Sequence, residues 1–151
     1  MILTLSEIFN PESILLNLAG TTKETVFSEL VGAIAAVHPE CNQESMLAAL
    51  WEREKKLSTG IVSDVAIPHA ICSSIKTVAG AVGISRAGID YGALDEKPVH
   101  VIFMLVMNED AKENHLHILE QIFTLVKTDA LALIKNAKTA QEIHAVLSRF
   151  K

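Results

Sequence analysis

Apolar residues follow a helical spacing at both ends of this chain and a strand-like spacing in the middle. After Gly20, Val26, Phe27, Leu30, Ile34 and Val37 define one helical face. Thr21 or Thr22 can cap that helix, and Glu24 stands at capping-box spacing from Thr21. His38-Pro39 ends it, because proline disfavours a helical residue before it. A second helix begins near Asn42, carries Glu44, Met46, Leu47, Leu50 and Trp51, and closes in the charged run 52–56.

The texture then changes. Ser58-Thr59-Gly60 reads as a loop, and the β-prone piece Val65-Ala66-Ile67 is cut by Pro68. Residues 78–84 form a strand candidate with small residues on one side. Residues 88–97 are rich in Gly and Asp and read as turns, with Asp90 and Asp95 as turn residues. Residues 99–107 are the strongest strand, apolar on both faces apart from His100, which predicts a central strand covered on both sides. Helices return at 114–126, 129–136 and 140–150, with Thr139 and Glu142 fitting a cap for the last. This order predicts an α/β fold: a three-layer domain with a central mixed β-sheet flanked by helices on both sides.

Composition narrows the class. The 151 residues suit one domain, taken as 1–151, and the four Pro and seven Gly are too scattered to mark a linker. A hydrophobic fraction of 50% excludes a disordered chain. Thirteen basic against eighteen acidic residues give a formal charge of −5, with no cluster of Lys and Arg to meet a nucleic acid. Cys41 and Cys72 are too few for a disulfide framework and lack zinc-site spacing. No apolar run approaches the roughly 20 residues that span a bilayer. The opening MILTLSEIF lacks the basic region and long apolar core of a signal peptide. A cytoplasmic protein without direct membrane insertion is expected.

Two of the six histidines have unusual settings. His69 follows Pro68 where a strand runs out, a rigid place to present a side chain, with the polar loop 58–60 upstream. The plainer alternative is a solvent-exposed loop histidine. His115 points into the middle of the helical arc of Leu119, Ile122, Phe123 and Val126, while His117 lies about 200° away, toward water. That geometry tells against a His-x-His metal pair, and no metal site is expected. A core-facing imidazole needs a hydrogen-bond partner, so His115 is either a satisfied structural residue or part of a site. Arg53 lies near the apolar side of the second helix, where it can reach an anion or simply snorkel; Glu54 falls deeper in the same arc. Cys72 has no electropositive neighbour in sequence and reads as a small apolar filler.

Arg53-Glu54-Lys55, Ser58-Thr59-Gly60-Ile61 and Val65-Ala66-Ile67-Pro68-His69-Ala70, in this order and at these separations, resemble the active-site stretch of the fructose–mannitol type of phosphotransferase-system (PTS) enzyme IIA. That family includes the nitrogen-branch IIA proteins. The likeness continues through Gly88-Ile89-Asp90-Tyr91, Asp95 and Pro98-Val99 to His115-Leu116. The resemblance implies that His69 is the phosphorylated histidine, that His115 is the supporting second histidine and that Arg53 pairs with the phosphoryl group. Loop N–H groups near Thr59-Gly60 are expected to help hold that group. Val62 stands where the family often has Gly, and Ser63-Asp64 replaces a usual Asn-Gly or similar pair. An added Asp beside a phosphate site would alter the local field.

Neutral imidazole is a competent nucleophile near pH 7, through a nitrogen whose lone pair is free. The other nitrogen must then donate its proton, and a backbone carbonyl near the strand exit could accept it. The scheme requires no cofactor. The resemblance implies a phosphotransferase that takes phosphate from the phosphocarrier protein HPr, or its nitrogen-branch equivalent, and passes it to a IIB domain for sugar uptake. The alternative is a nitrogen-branch regulator whose phosphorylation state controls binding to target proteins.

Overall fold

The computed structural model describes residues 3–151, Lys112 by its backbone alone. Met1 and Ile2, the start of the stretch read against a signal peptide, lie outside the described residues. Strand β5 (Val99–Met107) is the spine of a five-stranded sheet. It pairs antiparallel with β4 (Val78–Ile89), which pairs parallel with β1 (Ile14–Leu15). Along its other edge β5 carries two short parallel strands end to end, β2 (Val65–Ala66) opposite Val101 and Ile102, and β3 (His69–Ile71) opposite Leu105, Val106 and Met107.

Successive side chains of a strand face opposite sides, and β5 buries both. Val101, Phe103, Leu105 and Met107 join the core formed with α1 (Leu5–Ile8), α4 (Lys112–Val126), α5 (Ala130–Lys135) and α6 (Ala140–Leu147). Ile102, Met104 and Val106 join the core formed with α2 (Lys23–Val37) and α3 (Gln43–Lys56). The result is the three-layer α/β fold with a mixed sheet that the sequence predicts. Among the described residues, no helix is long and apolar enough to cross a membrane.

Caps explain where the helices start. Thr22 accepts from the Thr25 N–H at the head of α2, and Thr25, in place of the expected Glu24, returns a bond to the Thr22 N–H. Asn42 caps α3 through the Ser45 N–H, and Thr139 caps α6 through the Glu142 N–H. Small residues on β4 admit bulk from the helical layers. A Cβ at Gly80 would meet the Phe9 ring at 2.5 Å and the Met104 carbonyl oxygen at 2.8 Å.

Three features depart from the sequence pattern. β4 runs on to Ile89, so Gly88 and Ile89 belong to a strand instead of a turn. A register shift between Ile84 and Ile89, with Gly88 at φ +89°, lets the strand bend and rejoin β5 at Val99. The short elements α1 and β1 have no counterpart in the sequence reading. Two residues of strand carry no period and exist because β4 offers them a partner at Val82 and Gly83.

Candidate functional site

The edge of β5 positions His69. The Ile67 N–H donates to the Thr59 carbonyl at 3.1 Å, and the Leu105 N–H donates to the Pro68 carbonyl at 2.9 Å. Pro68 has no N–H to place, so pairing simply resumes at His69, opposite Leu105. His69 thus opens a second short strand, where the pattern predicted a loop. Its Nδ1 lies 2.8 Å from the Ile67 carbonyl oxygen. A carbonyl only accepts, so Nδ1 carries the proton and Nε2 keeps its lone pair. Burial pushes the His69 pKa below the ordinary histidine value, and the Arg53 charge acts the same way. The Ile67 bond and the Glu54 charge oppose these effects without reversing them. The imidazole is therefore neutral at pH 7.

His115 reaches the same place from the first turn of α4. The two rings lie with centroids 5.2 Å apart and planes inclined by 52°. The buried arc of α4 is Ile118, Ile122 and Leu125, while Leu119, Phe123 and Val126 are only partly buried. The core face is therefore turned from the predicted arc, and half-buried His115 sits at its margin, against His69, instead of at its centre. Residues 116, 118 and 119 are all apolar, which left the helical wheel two solutions; Leu116 is in fact 65% exposed. His117, expected to face water, is half-buried as well. Among the described residues the buried Nε2 of His115 has no hydrogen-bond partner. Burial, and then the neighbouring His69, pull the His115 pKa down.

Arg53 projects from the last turn of α3, with Nη1 donating to the Leu57 carbonyl at 2.8 Å. With His69 and His115 it lines a cavity of about 430 Å³, completed by Ala49, Glu52, Lys56, Ala70 and Ile71. Three of the five candidate residues thus converge.

Thr59 and Gly60 do not line this cavity. Thr59 is 2% exposed, and both of its donors are taken by Glu54, the N–H at 2.9 Å and the hydroxyl at 2.7 Å. The Gly60 N–H donates to Ser58 Oγ at 3.2 Å. Glycine is needed there for packing, since a Cβ would meet that of Ala93 at 2.8 Å. Asp64 is not beside the site either. Held at φ 75°, it engages His100 and Lys135 through its carboxylate. Its backbone carbonyl accepts from the N–H groups of His100 and Val101, at the far end of β5 from Leu105 and His69.

Glu54 is the residue that sequence reasoning passed over, although its place deeper than Arg53 in the helical arc was the available signal. Its side chain is 2% exposed and receives Lys23 Nζ at 3.0 Å besides the two Thr59 donors. The Tyr91 hydroxyl lies 2.7 Å from Thr59 Oγ1 and 3.3 Å from Glu54 Oε1. Burial, and then the Glu54 charge, push the Tyr91 phenol well up, so it stays a hydrogen-bond donor.

Comparison with known proteins gives a coherent picture. The profile of the family described as "Phosphoenolpyruvate-dependent sugar phosphotransferase system, EIIA 2" matches residues 7–150. The chain is 32% identical to a nitrogen regulatory protein of Pseudomonas aeruginosa, over 95% of this chain and 94% of that protein. It is 33% identical to the fructose-specific EIIABC component of Bacillus subtilis over 84% of this chain, which spans only 20% of that longer polypeptide. Among solved structures, the nitrogen regulatory protein IIA-Ntr of Neisseria meningitidis superimposes with a TM-score of 0.87 at 28% identity, covering 94% of this chain and 97% of that one. The mannitol enzyme IIA of Escherichia coli, solved in complex with its phosphorylated IIB, shares the fold with a TM-score of 0.78 at 14% identity, covering 94% of this chain and 99% of that one.

Proposed function

We propose, for a chain that belongs to the type 2 EIIA family of the phosphoenolpyruvate-dependent sugar phosphotransferase system, that His69 accepts a phosphoryl group from phosphorylated HPr and passes it to a IIB domain for sugar uptake. The observation that carries this reading is the bond from His69 Nδ1–H to the Ile67 carbonyl at 2.8 Å, which leaves the Nε2 lone pair free for attack. In the first transfer the Nε2 lone pair attacks phosphorus. The bond from phosphorus to the donor imidazole breaks, and its electron pair stays with the donor nitrogen. In the second, a IIB cysteine thiolate attacks the same phosphorus, and His69 leaves as neutral imidazole.

The phosphoryl oxygens carry spread negative charge through the transition state. Arg53 supplies a fixed positive charge to them, and His115 supplies an adjacent imidazole whose Nε2 is otherwise unpartnered among the described residues. Ile71 and Leu116, 50% and 65% exposed, follow the two histidines by two residues and by one, and suit the apolar centre of a contact with a partner protein.

A second reading is supported by the match along nearly the whole length of the Pseudomonas aeruginosa nitrogen regulatory protein. There the phosphorylation state of His69 controls binding to a target protein. The test charges the purified chain with phosphorylated HPr or its nitrogen-branch equivalent, then offers it to IIB domains. The transport reading expects discharge to a IIB cysteine. Charging without discharge to any IIB favours the regulatory reading, and no charging refutes both.

A further inference from the structure

A continuous line of hydrogen bonds joins buried Glu54 to the proposed nucleophile. Glu54 grips Thr59 twice, at its N–H and its hydroxyl. The Thr59 carbonyl accepts from the Ile67 N–H at 3.1 Å. The Ile67 carbonyl accepts from His69 Nδ1–H at 2.8 Å. From this geometry we infer that Glu54 is a positioning residue for phosphoryl transfer: through Thr59 and Ile67 it holds the carbonyl that keeps His69 in the Nδ1–H tautomer. This deepens the proposal above and rests on His69 being the phosphoryl acceptor.

The arrangement has a physical reason. Only the Nδ1–H tautomer leaves the Nε2 lone pair available for attack. An imidazole in water has two tautomers, so a nucleophilic histidine needs a fixed acceptor behind it. The Ile67 carbonyl belongs to the peptide preceding Pro68, which has no N–H through which the sheet could hold it. Its position is set by the anchors on either side of it: the Leu105 N–H holds the Pro68 carbonyl, and the Thr59 carbonyl holds the Ile67 N–H. Thr59 lies in a loop, and loops hold a position well only when tied down. Glu54 ties it from the last turn of α3, the same turn that carries Arg53. Lys23 from α2 and the Tyr91 hydroxyl complete the acceptor's surroundings, so the carboxylate is fully engaged in the interior. The two neighbours Arg53 and Glu54 therefore divide the work. Arg53 lines the cavity, and Glu54 secures the backbone behind the histidine.

The change Glu54→Gln keeps the shape of the side chain and turns one acceptor into a donor facing Thr59. The readout is the pair of ring-nitrogen shifts of His69 in ¹⁵N-histidine-labelled protein at pH 8, with no phosphoryl donor present. The wild type is expected to show one protonated nitrogen, Nδ1, and one bare nitrogen, Nε2. In Glu54→Gln the two shifts move toward each other as the Nε2–H tautomer becomes populated, and charging by phosphorylated HPr slows about tenfold or more. Wild-type ring shifts in folded Glu54→Gln would overturn the inference. If that variant does not fold, Thr59→Val decides on the same readout. It removes the hydroxyl grip and keeps the N–H, and unchanged shifts there would equally overturn it. Because the tautomer is read without phosphate, failure of His69 to be phosphorylated would be seen separately, in the charging assay of the wild type.

Discussion

The His69 and His115 rings face each other at 5.2 Å, one at the head of the edge strand β3 and the other in the first turn of α4. The sheet makes this pair. His69 is in register with Leu105, and β5 ends at Met107, just before the chain turns into α4. Two protonated rings so close would repel, and burial holds both below the ordinary histidine pKa, so the pair rests neutral with a ring lone pair free on His69.

His115→Ala is expected to slow phosphoryl acceptance by about 100-fold, the ordinary contribution of one positioned group, while destabilising the fold by only about 1 kcal/mol. Rapid-quench charging kinetics and urea unfolding check the two parts. Wild-type kinetics would return His115 to a packing role.

Stability should depend on pH through the same pair. Both histidines have pKa values lowered in the folded protein from 6.5, the value taken for the unfolded chain. Well above that pH neither state binds these protons, and the pair contributes no slope. As pH falls below it, the unfolded chain takes up protons before the native state does, so the native state loses stability. Urea midpoints should fall from pH 7 to pH 5, and the double change His69→Gln, His115→Gln should flatten that fall. An identical slope in the double variant would contradict the argument.

The sheet has its own weak point at Gly80. Gly80→Ala places a methyl group against the Phe9 ring and the Met104 carbonyl, and the carbonyl belongs to a central strand that cannot yield. A loss of about 1–3 kcal/mol is expected in chemical unfolding, the usual cost of overpacking. A variant as stable as the wild type would show that the Phe9 ring can move aside at no cost.

Much of this was written in local pattern. The doubly apolar run 99–107 announced the covered central strand, and Thr139, Asn42 and the Thr21–Thr22 pair announced helix starts. The ordered set from Arg53 to His69 contains two of the residues, Arg53 and His69, that line the cavity with His115, while Thr59 and Gly60 of the same set lie outside its lining. What local pattern could not carry was pairing. That β3 starts at His69 follows from Leu105 lying opposite, far along the chain. That Thr59 serves Glu54 follows from a buried carboxylate whose four surrounding donors come from Lys23, Thr59 and Tyr91, three separate segments. Asp64 looked close to the histidine in sequence. The extended chain between them carries it to the far end of β5, where His100 and Lys135 hold it.

The most direct measurement uses HPr charged with ³²P and compares the wild type with His69→Ala. The account predicts label on the wild type at His69, and none on a variant whose circular dichroism and melting show it folded. Label retained by His69→Ala, at any other residue, would contradict it.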